Sequence, residues 1–357
     1  MANESRAVPR PPGVLPQVPP GFKIAIYASG FINPRWLAAA PNGDVFLSEP
    51  AAGRIDLLRE TGGKVVVSTF AGGFSRPHGL ALAKDGLYVS DDKAVWRLPL
   101  AAAAGTRVRV TTDRDLSPGG YHWTRDLAID SKGTIYVGFG SAGNVEADPP
   151  IRATVQIVAP NGALTPFATG TRNPVGLAFY PGTDDLFVTV NERDGYGDAM
   201  VPDYLTQVRP GGFYGWPYAF LGPHRDPDWG AKRPDLVAAA IAPDLLFHAH
   251  SAPLGLVFYG GAQFPAAYRG DAFVALHGSW NSGAPTGYKV VRVPFAKGRP
   301  SGGYVNFVTG FWDGNGKPGT PARVWGRPAG LAIAKDGSLL IADDVGKVVW
   351  RVSYSGK

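Results

Sequence analysis

The chain carries one eleven-residue phrase nearly twice: RPHGLALAKDG at 76–86 and RPAGLAIAKDG at 327–337 agree at nine positions. Looser relatives recur between them. Aligned on one leucine, they are NPRWLAAAPNGDVFLSE (33–49), RPHGLALAKDGLYVSDD (76–92) and WTRDLAIDSKGTIYVGFG (123–140). The series continues with NPVGLAFYPGTDDLFVTVNE (173–192), APLGLVFYGG running on to GDAFVALHGS (252–279), and RPAGLAIAKDGSLLIADD (327–344). The shared residues are Leu37, Leu80, Leu127, Leu177, Leu256 and Leu331. A unit of this size cannot bury its own apolar face, so a chain built this way must stack its units.

Each unit reads strand, turn, strand. Short apolar runs such as LALA, LAID and LAFY lead into KDG, SKG or PNG turns, and VFLS, LYVS or IYVG follow. Several units add a third strand bearing an aromatic, as in AVWRLPL and KVVWRVSY (347–354). Gly (48) and Pro (33) make up over a fifth of the chain, while 9 Trp and 18 Phe supply a core and argue against disorder. The expected fold is all-β: a six-bladed β-propeller of four-stranded antiparallel blades. Two unrelated β-sandwiches would not share one leucine register. FKIAIYAS (22–29) precedes the first unit, so pairing of this N-terminal strand with the C-terminal one is expected to close the ring and remove an open edge. Residues 1–21 read as a Pro-rich extension and 22–357 as a single propeller domain.

Composition narrows the function. The chain has no Cys, which excludes disulfides, thiolate metal sites and a Cys nucleophile. No run of 18 apolar residues offers a transmembrane helix. Net charge is +6, but the basic residues are scattered singly rather than striped, which argues against nucleic acid and is compatible with an acidic redox partner. The polar, then Pro-rich start lacks an apolar leader core and reads as a mature N-terminus, so a periplasmic or secreted protein is expected.

Residues just before each first strand should meet at one mouth of a propeller. Five of these six segments carry a Pro that fixes entry into the strand. Around it stand Arg76, His78, His122, Arg125, Arg172, Asn173 and Arg327, with His250 one step outside. Arg and His converging there suit a polyanionic ligand. Pairing of each Arg with a carboxylate of a neighbouring blade is the alternative.

The motifs HWTRDLA (122–128), TRNPVGLAFYP (171–181), NERDGYGD (191–198), GGFYGWP (211–217), HSAPLGLVFY (250–259), ALHGSWNSGAPTGYKVVRVPF (275–295) and GRPAGLA (326–332) span the chain. Together they resemble the soluble glucose/sorbosone dehydrogenase family, six-bladed propellers that use pyrroloquinoline quinone (PQQ), with a flavour closest to its L-sorbosone dehydrogenase-like and aldose sugar dehydrogenase-like members. The resemblance implies roles. His122 matches the general base, a task suited to imidazole, and Arg172 matches the Arg beside the reactive carbonyl. Asn33, Asn173 and Arg327 match cofactor contacts. Arg193, His250, Ser251 and His277 complete the implied cofactor-binding set, to which mouth geometry adds Arg76. A Ca²⁺ ion is implied against the quinone, held largely through backbone carbonyls; the matching loop NERDGYGD points to Asp194 and Gly195, with Glu192 and Asp203 nearby.

Two departures stand out. The cofactor-gripping Lys of the glucose enzymes has no clear match, leaving Lys289 or His277, and Asp126 stands where the sorbosone-like branch has Asn. Trp280 in HGSWN (277–281) is placed either to stack on a flat cofactor or sugar ring or to pack between blades.

The implied activity is PQQ-dependent oxidation of an aldose or sorbosone-like sugar aldehyde to a lactone or acid, by hydride transfer to the quinone. Electrons then pass to an external acceptor such as a cytochrome or quinone, since the chain carries no haem motif. A Ca²⁺-dependent propeller lactonase or related hydrolase, and a non-catalytic ligand-binding propeller, are the alternatives. Specificity is expected in the insertions 141–153, 194–235 and 299–322.

Overall fold

The structure, a computed structural model, describes residues 3–100, 106–112, 115–116, 120–313 and 317–356. Residues 314–316 of the last insertion, and the outermost residues of both expected domains, lie outside the described residues.

The described chain is β-rich, with one six-residue α-helix, Pro234–Ala239. Six sheets follow one another along the sequence, and each begins with a strand that holds one of the aligned leucines. The first comprises Trp36–Ala39, Val45–Glu49, Arg54–Thr61 and Lys64–Gly72; the second Leu80–Ala83, Gly86–Ser90, Val95–Leu98 and Val108–Arg109. The third comprises Leu127–Ile129, Ile135–Phe139, Thr154–Val158 and Leu164–Thr169; the fourth Pro174–Phe179, Leu186–Val190, Tyr204–Gln207 and Leu245–Leu246. The fifth comprises Pro253–Phe258, Ala272–Leu276, Lys289–Val293 and Val305–Val308; the sixth Pro328–Ile333, Leu339–Asp343 and Val348–Tyr354. The fourth strand of the sixth sheet is Phe22–Ser29, which runs antiparallel to Val348–Tyr354 from Phe22 opposite Tyr354 to Ser29 opposite Val348. The ends of the chain are thus stitched as the repeat requires.

The third sheet exceeds expectation: Gly212–Phe213 joins Leu164–Thr169 in parallel as a fifth strand. Nor is the Pro-rich extension a separate tail. Arg6–Ala7 pairs in parallel with Arg323–Val324, and Gln17 bridges Thr309.

The core is divided between successive sheets, because side chains on one strand alternate between its two faces. On Leu186–Val190, Leu186 and Val188 pack toward the third sheet, with Ala128, Tyr136 and Val155, while Phe187 packs toward the fifth, with Leu256, Phe258 and Val274. Six such clusters join each sheet to the next, including the sixth to the first through Leu340 and Val349 against Leu37 and Leu47.

The Gly-Leu pair of the repeat has a steric cause. A Cβ on Gly79 would strike the Arg125 carbonyl, on Gly176 the Leu254 carbonyl, on Gly255 the Ala329 carbonyl and on Gly330 the Arg35 carbonyl. Each is the backbone at the start of the next sheet's first strand. First strands touch their successors, and the sixth touches the first. Only glycine permits that approach.

Two units lack this Gly: Trp36 precedes Leu37, and Asp126 precedes Leu127. The buried Asp126 carboxylate accepts the N–H of Leu127 and, 2.8 Å away, that of Leu177 in the fourth sheet. The departure noted at this position is therefore a tie between sheets. Burial raises its pKa well above the usual carboxylate value, against the pull of these donors.

Candidate active site

The segments that precede the first strands, and the loops that follow the second strands, enclose a cavity of about 870 Å³. His122, Arg172, Asn173, Glu192, Asp194, Asp203, His250, His277 and Arg327 line it, bringing together residues from four sheets.

His122 is fixed from behind. Its Nδ1 lies 2.9 Å from the Ser141 carbonyl oxygen and 3.0 Å from Ser141 Oγ. A carbonyl accepts only, so Nδ1 carries the proton and Nε2 keeps its lone pair. Burial, then the Arg172 charge, lower its pKa to about 3.

Arg172 is nearly inaccessible and is held by backbone. Nε donates to the Asn144 carbonyl at 3.0 Å, Nη1 to Asn191 and Glu192 carbonyls at 3.2 and 2.7 Å, and Nη2 to Asn144 Oδ1 at 3.0 Å. Such a guanidinium is pre-set rather than adaptable. Beside it, Asn173 Oδ1 is buried without a hydrogen-bond partner.

Across the cavity Arg327 donates to the backbone carbonyls of His277, at 2.9 Å, and Gly278. His277 Nε2 lies 3.0 Å from both oxygens of Asp344, which also pairs with Arg35. Burial, then Arg327, lower the His277 pKa to about 4, so it is neutral and donates Nε2–H to Asp344. The Arg35 and Arg327 charges and the His277 hydrogen bond hold the Asp344 carboxyl far below its usual range despite burial.

On the third wall, backbone shape sorts neighbours. His250 (φ 64°) and Ala252 (φ 52°) are both left-handed, a costly conformation for residues with a Cβ. The double turn puts His250 and Ala252 on the cavity and tucks Ser251 beneath it, fully buried with Oγ unpartnered. His250 Nδ1 faces Asp194 Oδ1 at 3.2 Å and Nε2 faces the Gly197 carbonyl at 3.0 Å. Burial lowers its pKa, but these two acceptors outweigh it and raise it overall.

Several expected residues are elsewhere. Arg76 pairs with Asp92, Nε to Oδ2 2.6 Å, and stays half-exposed outside the cavity wall; its partner carboxylate belongs to its own unit rather than to a neighbouring one. Asn33 stops short of the wall, and Arg35, two residues on, reaches it. Arg193 is fully buried: it donates to Glu192, Asp226 and the carbonyls of Pro217 and Ala219, clamping the 194–235 insertion to the fourth sheet. Ser251 is beneath the wall, not on it. Arg125 is likewise spent on carbonyls of Leu116, His122 and Thr124. His78 is buried between Trp36 and Trp123, and Lys289 packs near the Tyr304 ring.

Nor do the expected calcium residues form a cage. Asp203 accepts N–H groups of Glu192 and Ala252, Asp194 faces His250 and Arg172, and Gly195 is off the wall. Among the described residues no group of three His, Asp or Glu is placed to hold a metal.

Sequence reasoning missed Arg35, Asn144, Asn191, Tyr121 and Trp123 on the wall, and Asp344 behind it. Arg35 was within reach, occupying the register position of His78 and Arg125. Asp344 was within reach too, standing where Asp92 closes the other Arg-Pro unit, whereas Asn144 lies where the repeat has no counterpart.

Fold and cavity together define a class: all-β chains with several four-stranded sheets, shaped like the PQQ-dependent sugar dehydrogenases. The chain belongs to the TrAA12-like family, which matches residues 16–202 and 233–355. It is 32% identical over 240 residues to an uncharacterised Borreliella burgdorferi protein, covering 65% of this chain and 61% of that one. It is 47% identical over 57 residues to the PQQ-dependent pyranose dehydrogenase of Coprinopsis cinerea, 16% of this chain and 7% of that one. The chain therefore spans less than two thirds of these curated relatives. In structure it matches the holo PQQ domain of that pyranose dehydrogenase with TM-score 0.76 at 21% identity, over 99% of this chain and 100% of that one. A Trichoderma reesei protein of carbohydrate-active enzyme family AA12, in its calcium structure, matches with TM-score 0.74 at 21% identity over 95% and 97%.

Proposed function

We propose that the protein is a PQQ-dependent dehydrogenase of aldoses or sugar aldehydes, built on a closed six-bladed propeller whose blades are the six sheets. The observation that carries this reading is a single imidazole, held in its neutral tautomer by Ser141, beside the pinned guanidinium of Arg172 in one cavity. At about 870 Å³ the cavity suits a cofactor with a small substrate. Membership of the TrAA12-like family and the PQQ-bound fold relative support the same cofactor.

The donor set suits a flat polyanion. Arg35, Arg172 and Arg327 present positive charge from three directions, and Asn173 brings an uncommitted side-chain amide oxygen. Arg327 and Arg35 would hold carboxylates, and Arg172 would face developing oxyanion charge. PQQ when bound supplies the two-electron acceptor for a substrate hydride. His122 Nε2 takes the proton of the hydroxyl on the carbon being oxidised, while Nδ1–H stays on the Ser141 carbonyl. Depression of its pKa keeps that lone pair available.

A calcium ion against the quinone belongs to the same proposal: the loop of Glu192, Asp194 and Gly195 would hold it largely through backbone carbonyls, and Glu192 Oε1 is buried on the cavity wall without a hydrogen-bond partner. The lactonase reading needs a ring of acidic side chains about a metal, and among the described residues no three such groups are gathered. Lactone or acid as product, an external electron acceptor and export from the cytoplasm complete the proposal.

The test is dye reduction by cofactor-loaded protein over an aldose panel. His122→Ala and Arg172→Ala should each lower kcat/KM at least about 100-fold. Wild-type rates in either variant, with the cofactor bound, would refute the assignment.

A further inference from the structure

We propose that the mouth of the cavity carries an outer sugar-binding subsite formed by Tyr121 and Trp280, so that the preferred substrate is the reducing end of a short oligosaccharide. This rests on the sugar dehydrogenase reading above.

The sequence has 9 Trp, 14 Tyr and 18 Phe. All lie in the described residues, and just two are exposed: Tyr121 at 82% and Trp280 at 50%. Both line this one cavity, though they come from different sheets' loops. Solvent-facing aromatic rings gathered at a cavity mouth mark a place where something is bound.

The backbone beneath each ring is fixed. The Tyr121 N–H donates to the Ala142 carbonyl at 2.8 Å, and Gly120 is pressed so close to Ala142 that a Cβ would clash. The Trp280 carbonyl accepts the N–H of Asn3 at 2.9 Å, and the Asn3 side-chain amide donates to the carbonyls of Ser282 at 2.9 Å and Gly283 at 3.2 Å. Gly283 in turn donates to Asp198 Oδ1 at 2.9 Å and accepts from Gly319 at 2.7 Å. The N-terminal arm, itself fixed by Arg6–Ala7 on Arg323–Val324, thus fastens the Trp280 loop to the rim. Rings on an ordered backbone bind without the entropy cost of ordering a loop.

A pyranose offers a face of C–H groups that packs on an aromatic ring, while its hydroxyls stay in water at the rim. Oxidation at an anomeric carbon requires a free anomeric hydroxyl, which an oligosaccharide has only at its reducing end. That ring must sit inward beside His122. Every further ring then extends outward, through the mouth where Tyr121 and Trp280 stand.

The experiment compares KM and kcat for glucose, cellobiose, cellotriose, maltose and maltotriose, with galactose and lactose alongside, on the cofactor-loaded full chain. Tryptophan fluorescence on the unloaded protein reads binding of the same sugars without turnover. Wild type should favour a di- or trisaccharide over its monosaccharide in KM. Trp280→Ala and Tyr121→Ala should shrink that preference roughly three- to tenfold, and Trp280→Phe should keep most of it. Equal KM for mono- and oligosaccharides in the wild type, or losses that fall equally on both, would overturn the subsite. So would a defect confined to reduction of a protein acceptor, which would make these rings a docking face. Oxidation of no sugar counts against the parent reading instead, and the fluorescence titration then still decides the subsite.

Discussion

An imidazole next to two arginines would rather be neutral, and His122 has Arg172 and Arg152 as neighbours in a buried setting. The sign of the consequence is definite. Between the ordinary histidine value of 6.5 and about 3, the unfolded chain binds a proton at this residue that the folded chain refuses. Its contribution to stability is therefore present above 6.5 and is lost as pH falls through that window. For activity, kcat/KM should hold a plateau down to about pH 4 and fall only near 3, measured as a pH–rate profile with cofactor loading checked at each pH. An acid limb near 6.5 would mean that another group is the base. Arg193 makes a second case at this scale. The resemblance put it on the cofactor, but its side chain is fully buried between Glu192 and Asp226, with every contact inside the protein. Arg193→Ala should cost about 3–5 kcal/mol in chemical denaturation, because two carboxylates are left without their partner. These residues show what sequence could and could not yield about the site. His122, Arg172, Asn173 and Arg327 stand in register before a first strand, so alignment alone found them. Asn33 and Arg76 stand in the same windows, and only side-chain direction separates them from Arg35. Direction follows from local φ and ψ, as at His250 and Ala252, and no spacing rule reports it.

At the level of strands, the leucine register located the first strand of all six sheets, and the apolar runs after the KDG, SKG and PNG turns located second strands. Phe22–Ser29 has the bounds that its sequence suggested. The parallel strand Gly212–Phe213 was illegible because GGFYGWP carries turn residues and no alternation. The pairing of Arg6–Ala7 was hidden in the same way by the surrounding prolines. The repeated Gly before Leu is where sequence and geometry explain each other most fully. Gly176→Ala or Gly255→Ala should lower stability by about 1–3 kcal/mol, since the added Cβ meets backbone that belongs to the next sheet. Gly72, on an outer strand with open space about it, is the control, and Gly72→Ala should be neutral or slightly stabilising in the same thermal melts. Equal losses at all three positions would show that close approach of the first strands is not the reason for the repeat.

The whole molecule holds its ends together by one antiparallel pair, and Phe22 anchors it. Its ring contacts Phe264, Tyr268, Phe307 and Tyr354, joining the closing strand to the fifth sheet. Phe22→Ala should cost about 3–5 kcal/mol, and the melt should stay a single transition shifted to lower temperature. A separate early transition would instead mean that the sixth sheet unfolds independently of the rest. The cavity exists only because these sheets come together, since its walls draw on loops from residue 35 to residue 327. The central claim is that this assembled wall binds PQQ. The measurement that tests it most directly is a spectrophotometric titration of the metal-free protein with PQQ, with and without added Ca²⁺, followed by the aldose panel. The account predicts uptake of one equivalent, tighter with Ca²⁺ than without it, weakening by at least about tenfold in Arg327→Ala, and bleaching of the bound quinone by at least one sugar. No uptake under either condition would contradict it and leave the Arg- and His-lined cavity to a different ligand.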